Sequence, residues 1–222
     1  MAWNSGKRKH FRAEIQVMAA KLPSSDISDS IETHPFEPFF PAKARVLMLG
    51  TFPPAPKRWC MRFYYPNFMN DMWRMMGYIF FCDKSHFVDA AGKTFKLEEL
   101  KAFLKEKGLA FYDTAYRVRR TKNTASDKDL EVVESTDLDS MLHQLSECRA
   151  VVTAGQLATQ LFAGHFHIGI PEMGECIEFL FEGRAIRLYR IPSTSRAYPM
   201  SLERKAAYYS RMLENEAVLS KK

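Results

Sequence analysis

The chain has 222 residues, 46% of them hydrophobic and 26% charged, which provides enough apolar material for a core and argues against wholesale disorder. No apolar run approaches the roughly 18 residues of a transmembrane helix, and the polar, basic start MAWNSGKRKHFRAE has no apolar run behind it, unlike a secretory signal. Lysine and arginine outnumber aspartate and glutamate by 32 to 26, a net charge of +6 that suits a phosphate-bearing partner without requiring one.

Residues 1–33 read as a basic extension and linker. Phe11, Ile15, Met18 and Leu22 repeat at helical spacing across and beyond a basic cluster at 7–12, and Pro23 followed by SSDISDS ends the pattern. A single domain is expected from residue 34 to 222. It opens on HPFEPFFP, whose prolines forbid a helix and predict an extended lead-in. Residues 44–49 (ARVLML) form a short apolar run fit for a buried parallel strand. The proline-rich TFPPAPKRW follows, then helices predicted at 70–79 and 97–107, the second with Leu97, Leu100, Phe103 and Leu104 on one face. Strands are predicted at 109–112, closing at Asp113, and at 150–154. Helices are predicted at 137–148 and from Gly155 to Phe162. Residues 176–181 and 185–191 read as a hairpin turning at Glu182 and Gly183, and a last helix spans 201–213. This alternation predicts a parallel sheet flanked by helices, an α/β fold.

Four cysteines (Cys60, Cys82, Cys148, Cys176) show no CxxC pattern, which argues against a disulfide framework, a structural zinc or an iron–sulfur cluster and fits a reducing cytoplasm. GxGxxG, GxxxxGK[ST], GxSxG and HExxH are all missing. His165 and His167 would share a face on a strand, but without a third ligand they read as loop or edge histidines.

Two loops remain, each following a strand. The segment at 50–73, GTFPPAPKRWCMRFYYPNFMNDMW, is far longer than an ordinary connection and interleaves aromatics with Lys57, Arg58 and Arg62. That mixture suits a ligand with both a flat face and phosphates, although Phe63, Tyr64 and Tyr65 would equally fill core space. The second, IPSTS at 191–195, precedes a helix and offers backbone N–H and hydroxyl donors for a phosphate, or forms an ordinary hydroxyl-capped turn. A further basic run, RVRRTK at 117–122, follows the strand that ends at Asp113.

Together these segments resemble the motifs of the uracil-DNA glycosylase superfamily, nearest its hypoxanthine-(deoxyinosine-)DNA glycosylase-like branch. VLMLGTFP is similar to a strand ending in Gly-x-x-Pro, and FYYPNFMNDMW to an aromatic-x-His-Pro-x-Asn-x-Phe-Trp stretch, with Tyr65 on the aromatic and Asn70 on the asparagine. IPSTS resembles a Leu-Pro-Ser-Thr-Ser motif, and KGLAFYDTAY followed by basic residues and Asp127 resembles a Gly-Leu-x-Leu-Trp-Asp-Val segment. The resemblance runs from about residue 34 to about 212. It implies a three-layer α/β/α domain around a mostly parallel four-stranded sheet. It also implies a monofunctional, cofactor-free and metal-free monomer that hydrolyses the N-glycosidic bond of a deaminated base flipped out of DNA.

Under that resemblance, Gly50, Thr51, Phe52, Pro53, Tyr65, Ala154 and Asp127 surround the base, Tyr65 stacks on it, and Asn70 positions the water. Backbone N–H groups near Thr51 and Phe52 stabilise the departing base. Ser193, Thr194, Ser195 and Arg196, with Lys57, Arg58, Arg119 and Arg120, contact the DNA backbone. Arg196, Tyr198 or Met200 fills the gap left in the base stack. Several positions depart from the pattern. Phe52 stands where relatives carry an acid or amide, Pro54 replaces a glycine, and Asn67 and Phe68 replace the usual His-Pro. Ala154 replaces an asparagine that reads the base edge, and Ile191 a histidine. A catalytically silent nucleic-acid binder of this fold, or an enzyme acting on a free nucleoside, are the competing readings.

Overall fold

In a computed structural model of the chain, residues 30–122, 124 and 126–220 are described. The amphipathic pattern at 11–22 and the basic cluster at 7–12 lie outside them. The apolar runs become strands β2 (Val46–Gly50), β5 (Leu109–Asp113) and β8 (Ala150–Ala154), each buried at every position. Burial on both faces is what an unbroken apolar strand requires. β2 pairs in parallel with β5 on one side and β8 on the other, and β8 pairs in parallel with β10 (Arg184–Ile191). These are the four strands of the expected sheet. A fifth, β9 (Cys176–Phe181), is the antiparallel hairpin partner of β10, giving the order β5-β2-β8-β10-β9. Glu182 and Gly183 make that turn with φ of 50° and 80°, the left-handed pair a tight hairpin uses.

The helices are α1 (Met72–Phe81), α2 (Leu97–Lys107), α3 (Leu138–Gln144), α4 (Gln156–His165) and α5 (Leu202–Asn215). They flank the sheet: α2 packs on β5, α4 on β8, and α5 on both β10 and α1. α2 ends at Gly108, φ 64°, where a Cβ would lie 2.8 Å from the Lys43 carbonyl, so only glycine fits. α3 stops four residues before the end of the predicted 137–148 span. There the Arg184 guanidinium donates to the Leu142 and Leu145 carbonyls at 2.6 and 2.5 Å, satisfying the helix end while the chain turns into β8.

Five short strands escape the sequence reading. Thr94–Phe95 (β4) pairs with Val88–Asp89 (β3) in a small hairpin. The basic stretch after Asp113, expected as a loop, is strand β6 (Ala115–Arg120), the centre of a three-stranded antiparallel sheet with β1 (Ile31–Thr33) and β7 (Leu130–Ser135). Register shifts between residues 115 and 118 break the period-two alternation that would have marked β6. Arg117 and Arg119 form ion pairs across this sheet with Glu134 and Glu131. β1 also brings residues 31–33, expected to end the linker, into the domain. The lead-in is extended as expected, and Phe39 exchanges backbone hydrogen bonds with Phe111 at 3.1 and 2.9 Å, covering the outer edge of β5.

Candidate active site

Gly50 aligns with Asp113 and Ala154 with Ile191, so β2, β5, β8 and β10 all deliver their C-terminal residues to one edge, where open α/β sheets hold their ligands. A Cβ on Gly50 would meet Asp113 Oδ1 at 2.6 Å and the Tyr65 hydroxyl at 3.6 Å. The backbone of β2 can therefore press against both groups only as glycine.

Asp113 is 7% exposed. Its Oδ2 accepts from His34 Nε2–H at 2.9 Å, and the His34 side chain is fully buried. On the other side of the ring, Nδ1 lies 3.0 Å from the Phe36 carbonyl and 3.3 Å from the Phe36 N–H. Nδ1 thus has both an acceptor and a donor within reach at Phe36, and the ring is anchored on both sides. Asp113 Oδ1 receives no hydrogen bond among the described residues.

Thr51, 4% exposed, donates its hydroxyl to Asp127 Oδ2 at 2.8 Å. Asp127 also lies beside Gly155, 3.7 Å from where its Cβ would be. Burial raises the Asp127 pKa above the ordinary carboxylate value, and Asp113 raises it further, against the Thr51 hydrogen bond and Arg120.

Of the three consecutive aromatics, Phe63 and Tyr64 fill the core at 5% and 2% exposure, as the packing alternative anticipated. Tyr65 differs. Its φ is 50°, its ring is half-buried edge-on to Trp73 and Phe111, and its hydroxyl is buried with no hydrogen-bond partner. Burial, followed by Tyr209, Asp113 and Asp127, pushes that phenol well above its ordinary pKa. A bulky residue held in the left-handed region with an unsatisfied buried polar atom is the sort of strain that gathers at functional sites.

Asn70 lies two residues before α1, and its Oδ1 accepts the N–H of the first helical residue, Met72, at 2.9 Å, fixing the amide plane. Its Nδ2 has no partner among the described residues. Next to it, Asp71 locks the two loops together. Asp71 N–H donates to the Thr194 carbonyl at 3.0 Å, while its carboxylate accepts from Arg196 Nε at 3.0 Å and Lys205 Nζ at 2.9 Å. Lys205, wholly buried on α5, also donates to the Ser195 carbonyl at 2.7 Å.

Ser193 and Ser195 accept from the N–H groups two residues on and keep their hydroxyl protons to donate. Thr194 is only 1% exposed, so backbone contact at this loop falls to its two serines. Lys57 and Arg58 are exposed on a 3-10 turn. Arg120 is committed inside the domain: it pairs with Glu32 at 2.7 Å, donates to the Pro53 carbonyl at 2.6 Å and lies over the Phe52 ring. A guanidinium so engaged has little left for a phosphate. Beside Asp71 and Arg196, a cleft of about 420 Å³ is lined in part by Arg74, Lys84 and Ser201.

Among the described residues no three His, Cys, Asp or Glu side chains are grouped to hold a metal, and no helix is long and apolar enough to cross a membrane. His165 ends α4 and meets Asp139 at 2.5 Å.

No family model and no curated protein matches the sequence. A solved structure shares the fold. It is a solution structure described as a "putative Uracil DNA glycosylase" from Methanosarcina acetivorans, with a TM-score of 0.54 and 17% identity, covering 83% of this chain and 99% of that one.

Sequence reasoning missed His34, Asp71 and Lys205 as parts of the site and left Asp113 as a strand-end residue. One signal was legible: Lys205 interrupts the stripe shared by Ala206, Tyr209, Met212 and Leu213, and a lysine on an apolar face needs a buried partner.

Proposed function

We propose that this chain is a DNA glycosylase of the uracil-DNA glycosylase superfamily that hydrolyses the N-glycosidic bond of a flipped deaminated base, uracil or hypoxanthine. It acts as a cofactor-free monomer in the cytoplasm. One observation carries the reading: Tyr65, Asp113, Asp127 and Gly50 converge at the C-terminal ends of β2 and β5, and the buried Tyr65 hydroxyl has no hydrogen-bond partner. Such a group inside a protein is the mark of a missing polar ligand, and the fold shared with the Methanosarcina acetivorans structure supports the choice of ligand.

The half-buried face of Tyr65 stacks on the extruded base, worth on the order of 1–3 kcal/mol. The backbone at Gly50, Thr51 and Phe52 borders the base, with the N–H groups at Thr51 and Phe52 stabilising the charge it carries away. Ala154 presents no polar side chain to read the base edge. Asn70, its plane fixed by the Met72 N–H, offers Nδ2 to orient the attacking water. Ser193, Ser195, Arg196, Lys57 and Arg58 grip phosphates flanking the extruded nucleotide. Arg119, paired with Glu131, lies further out on β6.

The test is alkali-revealed strand cleavage of labelled duplexes carrying one uracil, hypoxanthine or xanthine. Base release is expected from the native chain and is expected to fall by about 100-fold in Asn70→Ala. No release from any substrate, with salt-sensitive DNA binding intact, would replace this reading with the silent binder.

A further inference from the structure

If the base leaves from the pocket beside Tyr65, something must take a proton from the water that replaces it. Phe52 cannot: it carries no polar atom, and its ring packs against His34 and under Arg120. Asn70 can orient water but is too weak a base to deprotonate it.

We infer that Asp113 is the general base of this site, held by His34, and that Asp127 is the acid that protonates the departing base. The inference rests on the glycosylase reading above. Four observations carry it. First, the two carboxylates meet consecutive residues at the end of β2: Asp113 Oδ1 presses on Gly50, and Asp127 Oδ2 takes the hydroxyl of Thr51. Second, each has one oxygen bound and one left over. Asp113 Oδ2 is satisfied by His34 and Asp127 Oδ2 by Thr51, and neither Oδ1 receives a hydrogen bond among the described residues. Third, the His34 side chain is wholly buried and anchored on its far side at Phe36, so the ring holds Asp113 Oδ2 in a fixed place. Fourth, Asp127 is buried at the Thr51 hydroxyl, and that burial raises its pKa above the ordinary carboxylate value against the Thr51 hydrogen bond and Arg120. Two carboxyl groups in unlike surroundings, one held by an imidazole and one by a hydroxyl, are the arrangement that divides base from acid.

The step balances without any further reactant. The bond between the sugar C1′ and the base nitrogen breaks, and its electron pair leaves with the base. The water oxygen bonds to C1′ and gives one proton to Asp113 Oδ1. Asp127 Oδ1 gives its proton to the base. The products are an abasic sugar and a neutral free base, and solvent returns both carboxyls to their starting states.

The experiment measures single-turnover base release on duplexes carrying uracil or 5-fluorouracil, alongside binding to a duplex with a tetrahydrofuran abasic analogue. Asp113→Asn is expected to lose at least about 100-fold in rate with its affinity for the analogue unchanged. Asp127→Asn keeps an acceptor for Thr51 and is expected to lose about tenfold on uracil and markedly less on 5-fluorouracil, whose base leaves more readily without a proton. His34→Gln, which retains a donor for Asp113, is expected to keep more of the rate than His34→Leu at equal affinity. An active native chain whose Asp113→Asn variant stays within about threefold of it would overturn the base assignment while leaving the glycosylase reading intact. Equal losses on the two bases for Asp127→Asn would overturn the acid assignment, even if Asp113→Asn failed to fold. A native chain inactive on every duplex would remove the glycosylase reading itself.

Discussion

Asp71 and Asp113 are buried almost equally, at 6% and 7% exposure, and both lie where a loop meets the ends of the sheet, yet they differ in what remains unspent. Asp71 is closed. Both of its oxygens are claimed, one by Arg196 and one by the fully buried Lys205, and its N–H holds the Thr194 carbonyl. Asp113 is half open: His34 claims one oxygen, and the other faces Gly50 near a tyrosine hydroxyl that has no partner. Burial alone does not separate a structural carboxylate from a reactive one. What each oxygen is bonded to does: Asp71 has both engaged, while Asp113 keeps one able to accept a hydrogen bond.

The largest effect should come from opening the closed side. Lys205→Met leaves the Asp71 charge without its buried partner and is expected to destabilise the fold by about 3–5 kcal/mol, read as a shift in the urea midpoint. Because Lys205 also holds the Ser195 carbonyl, affinity for DNA should fall with it. An unchanged urea midpoint would mean that Asp71 is not closed by Lys205.

Next comes Gly50→Ala, which drives a methyl into Asp113 Oδ1. Overpacking of this kind costs about 1–3 kcal/mol, and because the displaced group is Asp113 itself, the rate should fall together with the stability. A smaller effect, opposite in sign, is expected from Tyr65→Phe. No hydrogen bond is lost, so thermal unfolding should be unchanged or show a gain of up to about 1 kcal/mol. A clear loss would mean that the hydroxyl has a partner in the folded protein.

The smallest effect concerns Asp127 and pH. Its pKa is raised in the folded state, so the folded chain binds that proton more tightly than the unfolded chain does. Its contribution to stability is therefore greatest on the acid side and declines as pH rises from the ordinary carboxylate range through the raised value. Asp127→Asn should remove that slope, and melting temperatures across the acid range would reveal it.

Much of the central sheet was legible because its strands are short, apolar on both faces and punctuated by Gly50, Gly108 and Gly155, so hydrophobic run and breaker agreed. β6 was not, because a bulge breaks its alternation and its arginines look like those of a solvated loop. Of the candidate site, Tyr65 and Asp127 were legible through motif resemblance, and the structure places both beside Gly50 and Thr51. The basic residues were legible only as charge: Arg120 proved to be an internal tie between β6 and the loop after β2, while Lys57 and Arg58 are exposed.

The sequence by itself determined the order of the five central strands and the flanking helices, the long aromatic loop after β2 and the hydroxyl-rich turn after β10, because period, proline and glycine act locally. Only the tertiary structure decided which polar groups are spent. His34 reaches Asp113 across 79 residues and Lys205 reaches Asp71 across 134. A hydrogen bond between such distant positions leaves no periodicity in the chain, since its partners become neighbours only when helices, strands and lead-in pack together.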